Sequence, residues 1–135
     1  MSYVELEHTA DVKLRVEAGT LEELFSEAVR ALMVTMYGTA DPGMREIQVE
    51  VHAGDLVGLI HDLLSEALFL SEVNDVVFAS AELTIEGGSV HGILRGEPFD
   101  PARHRGGSEV KGISYSGLKL WKGDDTYILD IILDV

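Results

Sequence analysis

The sequence has no cysteine. Disulfides, thiolate metal sites and a cysteine nucleophile are therefore excluded, and the absence accords with a reducing compartment. No apolar run approaches the ~20 residues needed to cross a bilayer. The opening Met1-Ser2-Tyr3-Val4-Glu5 lacks the basic and apolar regions of a signal peptide. From these absences we expect a soluble, cytoplasmic chain with no membrane partner. Positive charge is also scarce, since 10 Lys+Arg stand against 24 Asp+Glu and leave a formal net charge of -14. Such a surface repels phosphate backbones, which argues against direct high-affinity binding of nucleic acid. It suits a cation binder or a partner for a basic protein surface, although plain solubility accounts for most of the charges.

What is present fits one folded unit. The 135 residues, 46% of them hydrophobic and 25% charged, match one domain over residues 1–135 with one hydrophobic core. Val4, Leu6 and His8 alternate with Glu5 and Glu7, and the same phase resumes at Val12, Leu14, Val16 and Ala18. This is the pattern of amphipathic strand, interrupted around Thr9-Ala10. Thr20-Leu21-Glu22-Glu23 has the form of a capping box, and Leu21, Leu24, Phe25, Ala28, Leu32, Met33 and Met36 follow at helical spacing. A helix over about 21–36, ending near Gly38, is predicted.

Asp55 is a good cap for a second helix whose Leu56, Leu59, Ile60, Leu63, Leu64, Ala67 and Leu68 form one apolar stripe. Strands are predicted over 47–51, 76–86, 90–95, 110–120 and 127–135, with turns at Gly87-Gly88 and Gly123-Asp124-Asp125. The strand over 110–120 changes phase between Tyr115 and Leu118, and Gly112 and Gly117 sit where a β-bulge could absorb the shift. The expected fold class is α+β, with two amphipathic helices packed on a largely antiparallel β-sheet.

Three places ask for more than packing. His8-Thr9-Ala10-Asp11 is a polar break between apolar-alternating runs; a buried imidazole and a turn-forming aspartate are its structural explanations. The loop 96–107 gathers two of the three prolines, three glycines, Glu97 and His104, and loops of this composition are often functional or simply mobile connections. The third is the end of the sequence, Tyr127 to Val135, which stays apolar to its last residue. Its odd positions, Tyr127, Leu129, Ile131, Leu133 and Val135, would form a core face. Asp130 and Asp134 would share the other face, with the α-carboxylate beside Asp134. Neighbouring carboxylates repel unless a cation or solvent relieves them, and Ca²⁺ and Mg²⁺ prefer oxygen donors.

Spacing alone does not connect Asp11 with Asp134. The opening Tyr3-Val4-Glu5-Leu6-Glu7-His8-Thr9-Ala10-Asp11-Val12 resembles the first motif of the archease family. Gly96-Glu97, His104, Glu109-Val110-Lys111-Gly112-Ile113-Ser114-Tyr115 and Ile131-Ile132-Leu133-Asp134-Val135 are similar to later family blocks in the same order. Gly112 stands where alanine is more usual, and Ser116 where histidine or serine occurs.

The resemblance implies a non-catalytic activator of the GTP-dependent RNA ligase of tRNA splicing. Such a protein promotes guanylylation of a ligase histidine and multiple turnover. It further implies Asp11, Asp134 and Val135 as metal ligands, calcium first and magnesium or manganese next, with His8 and Lys111 associated with function. Two rivals remain open: a chaperone-like interaction module with a structural metal site, and a free-standing metal hydrolase of phosphate esters. The hydrolase ranks last, because the sequence lacks a dense ligand cluster and a basic phosphate-binding loop.

Overall fold

The computed structural model describes residues 1–6, 11–105 and 107–135. Its elements are β1 (Ser2–Leu6), β2 (Val12–Ala18), α1 (Leu21–Tyr37), β3 (Arg45–His52), α2 (Leu56–Asn74), β4 (Val76–Glu86), β5 (Ser89–Pro98), β6 (Gly112–Lys122) and β7 (Tyr127–Asp134). The α+β class and the antiparallel pairing are as the patterns predict. The strands divide between two sheets rather than forming one: a four-stranded sheet in the order β1-β2-β7-β6, and a three-stranded sheet in the order β3-β5-β4. The division follows from how the helices bury their apolar faces. Helix α1 lies chiefly on β4 and β2, and α2 chiefly on β6 and β3, so each helix covers strands of both sheets.

Both helices start where their caps dictate. Thr20 is extended and its Oγ1 accepts from the amide of Glu23 at 3.1 Å, while Glu22 and Glu23 place negative charge at the positive end of the helix. Helix α1 stops at Gly38, whose φ of 82° suits glycine and whose amide donates to the carbonyl of Val34. In α2 the Asp55 carboxylate accepts from the amide of Gly58 at 2.7 Å. The inner faces bury Leu24, Phe25, Ala28 and Leu32 from α1, and Leu59, Ile60, Leu63 and Leu64 from α2. Each buried Leu, Ile or Phe stabilises the fold by roughly 1.5–3 kcal/mol.

Beneath them lie Leu14 and Val16 of β2 and Leu129, Ile131 and Leu133 of β7, all at most 2% exposed. The phase change in β6 is a register shift between Ser114 and Lys119. Gly117 sits inside it at φ 76°, packed so close to Ile132 that a Cβ would clash. Gly117 is thus the bulge residue, whereas Gly112 is an ordinary ladder partner of Asp134.

Candidate metal-binding end of the four-stranded sheet

Alternation along β7 sends its odd residues to the core and its even ones, Asp130 and Asp134 among them, to the opposite face. Asp130 meets cations. The register sets it opposite Arg15 of β2 and Lys119 of β6. Arg15 binds it through two parallel hydrogen bonds, Nε to Oδ1 at 2.7 Å and Nη2 to Oδ2 at 3.0 Å. The guanidinium also lies 5.6 Å from the ring centre of Trp121. So covered, Asp130 is only 4% exposed, and its charge is met by the fork geometry that carboxylates bind best.

Two repeats of the pleat further on, Asp134 has different neighbours. On the β2 side the last pair of the ladder is Val12 with Leu133. Asp11 directly precedes Val12 and Asp134 directly follows Leu133, so both lie at this end of the sheet. On the β6 side Asp134 pairs with Gly112, which offers no side chain. Lys111, just before it, is exposed and donates its amide to the carbonyl of Asp134 at 2.7 Å. Asp11 is half-buried and Asp134 exposed.

Two of the sequence-predicted residues need comment. Val135 was expected on the core face of the last strand, but it is 41% exposed. The reason is that β7 ends at Asp134, whose pairing with Gly112 closes the ladder, so among the described residues no strand pairs with the next position. His8 lies outside the described residues.

The donor chemistry fits a hard divalent cation, because Asp11 and Asp134 supply carboxylate oxygens and no soft ligand. Among the described residues no group of three or more His, Cys, Asp or Glu side chains converges to hold a metal. Two carboxylates leave most positions of such an ion to water, main-chain oxygens or groups from another molecule.

Glu97 and His104, without an assigned role in the sequence reading, form an internal latch. Glu97 sits on β5 and His104 in the loop beyond it; both are buried, at 8% and 2% exposure. The amide of Asp100 donates to Nδ1 of His104 at 2.9 Å, so the proton is on Nε2, which donates to Glu97 Oε1 at 2.6 Å. Arg103 Nη1 reaches the same oxygen at 2.9 Å, and its Nη2 binds Asp41 at 3.0 Å. Burial pushes the Glu97 carboxyl up, but donation from His104 and Arg103 and the Arg103 charge prevail and hold it below the usual carboxylate value.

The loop is also stitched to α1 by the amide of Ser108, which donates to the carbonyl of Thr35. Its path therefore leads from β5 of one sheet to Lys111 and Gly112 of the other, and it fixes where β6 begins. Sequence reasoning missed a second brace at this end. His61 of α2 places Nε2 2.9 Å from the carbonyl oxygen of Ile113 and stacks on Tyr115 with ring centres 3.7 Å apart. Its only sequence signal is a histidine immediately beside the apolar stripe of α2.

Residues 3–135 match the model of the archease protein family (MTH1598/TM1083). The chain is 38% identical to protein archease of Methanopyrus kandleri over the full length of both. It is 33% identical to protein archease of Pyrococcus furiosus, covering 96% of this chain and 95% of that one. Among solved structures, Methanobacterium thermoautotrophicum protein 1598 superposes with a TM-score of 0.83 at 26% identity, covering 98% of both chains. An archease described as a possible chaperone, from Thermotoga maritima, shares the fold with a TM-score of 0.67 at 20% identity, covering 96% of this chain and 94% of that one. This chain belongs to the archease protein family.

Proposed function

We propose that this protein is a non-catalytic activator of a cytoplasmic GTP-dependent RNA ligase of tRNA splicing, acting through the end of the sheet that carries Asp11 and Asp134. The observation that supports the reading is the register of β2 on β7, which leads two aspartates to the same end of one sheet with an exposed lysine nearby. Asp11 and Asp134, with Val135, would hold one divalent ion, calcium by family resemblance. When bound, the ion would offset the repulsion between acidic side chains and a triphosphate. Lys111 adds a positive charge beside the carboxylates, suited to a phosphate oxygen. The latch of Glu97, His104 and Arg103 keeps the start of β6 in place, so that this group of charges is presented rigidly. Net charge of -14 turns RNA away and favours a basic protein surface.

The test is single-turnover guanylylation of the matching ligase, with circular dichroism as the folding control. Wild type is expected to accelerate the step, while Asp11→Ala and Asp134→Ala each remove most of the acceleration. The double variant should be little worse than either single one, as befits two ligands of one ion. Full acceleration by a folded double variant would reject the mechanism.

A second reading takes support from the possible-chaperone description of the Thermotoga maritima structure. Under it the protein is an interaction module, and any metal merely steadies the sheet end. Suppression of aggregation of unrelated proteins, equal in wild type and Asp11→Ala, would favour that reading.

A further inference from the structure

We propose that a pocket between the C-terminal ends of α1 and α2 receives an arginine side chain from a protein partner. The pocket has a volume of about 200 Å³ and is lined by Tyr37, Ser71, Glu72, Asp75 and Phe99. Its walls are aromatic: the rings of Tyr37 and Phe99 stand 5.7 Å apart and tilted by 55°. Its rim is acidic, from Glu72 in the last turn of α2 and Asp75, the residue that caps it. Flat aromatic faces with carboxylates at the edge are the surroundings a guanidinium prefers, since it can stack on a ring while its N–H groups reach oxygen.

The pocket is held open by its own hydrogen bonds. Ser71 Oγ donates to the carbonyl of Val76 at 2.6 Å, so at 3.0 Å it accepts from the hydroxyl of Tyr37 and fixes that ring. The amide of Phe99 donates to the carbonyl of Asp75 at 2.7 Å, which fixes the second ring against the helix end. Asp75 itself is left-handed, at φ 51°.

The carboxylates, by contrast, are not used internally. Among the described residues no hydrogen bond or ion pair engages the side chain of Glu72 or Asp75, whereas Arg15, Arg30, Arg95 and Arg103 all pair with carboxylates elsewhere. No basic residue lines the pocket, so its charge is complementary only to a cation brought from outside. Phe69 and Val73 of the same helix are also exposed, at 56% and 62%, apolar surface of the kind a protein partner covers. This site is separate from Asp11 and Asp134, and the proposal stands whether or not the ligase reading does.

The experiment is an NMR titration of isotope-labelled protein with a blocked Gly-Arg-Gly peptide and with the same peptide carrying citrulline, which keeps the shape and lacks the charge. The arginine peptide is expected to shift the signals of Tyr37, Ser71, Glu72, Asp75 and Phe99 saturably, and the citrulline peptide to leave them in place. Glu72→Gln, Asp75→Asn and Phe99→Leu should each weaken binding about threefold, and the two carboxamide changes together about tenfold. Asparagine tolerates the left-handed backbone at position 75, and residue 72 is exposed, so these variants keep the fold. Equal shifts from the citrulline peptide would overturn the proposal. So would arginine shifts spread over the acidic surface with the aromatic walls unmoved, or unchanged affinity in the double carboxamide variant.

Discussion

Asp130 and Asp134 stand on one face of one strand, and the same neighbouring strand flanks both, yet they live in opposite surroundings. Asp130 faces Arg15 and Lys119, is bound bidentately and is buried. Asp134 lies at the sheet end shared with Asp11, is paired with Gly112, and is exposed. The first arrangement is what a sheet does to stabilise itself. The second leaves a carboxylate at the end of the sheet, open to solvent. The difference teaches how to divide polar residues here: groups buried and paired within the fold hold it, and an exposed group at a sheet end, such as Asp134, is available to something else. Glu97 belongs with Asp130, since His104 and Arg103 meet its charge from inside the protein.

The largest effect should come from breaking the satisfied member of the comparison. Arg15→Leu leaves the Asp130 carboxylate buried with its forked partner gone, and thermal unfolding should move down by about 5 °C or more. Adding Asp130→Leu should recover much of that loss, because removing both charges also removes the unmet one. Failure of the second change to help would mean that Arg15 stabilises through its packing on Trp121 instead.

A smaller and pH-dependent effect is expected at Glu97, whose folded carboxyl lies below its usual value of 4.5. A depressed carboxyl contributes stability that is fully present above the unfolded value and is lost as pH falls through the folded one. Glu97→Gln should therefore be less stable than wild type at neutral pH, by a few degrees, with the gap closing progressively as pH drops below about 4.5. Denaturation midpoints by circular dichroism between neutral and acid pH read this directly. A gap that stays constant would assign the loss to shape rather than charge.

Much of the fold was legible because its signals are local. The Thr20 and Asp55 caps, the apolar stripes of both helices and the Gly117 bulge each depend on a few neighbouring residues. The division into two sheets was not, since it depends on which strands the helices cover, a matter of long-range packing. The candidate site was legible only in part. Alternation put Asp130 and Asp134 on one face, but nothing in the sequence said that Asp130 would find Arg15, far away in the chain. The link between Asp11 and Asp134 as ligands came from family resemblance alone; the register of β2 on β7 shows only that both lie at one end of the sheet. His104 and His61 were hidden for the same reason: their partners, Glu97 and the carbonyl of Ile113, are brought by the fold.

The most direct measurement of the central claim is a thermal shift on wild type, Asp11→Asn and Asp134→Asn, first with a chelator and then with calcium. The melts in chelator give each protein its own metal-free reference. Calcium should raise wild type and leave both variants nearly unmoved. Variants that gain as much from calcium as wild type does would contradict the claim that Asp11 and Asp134 serve one cation.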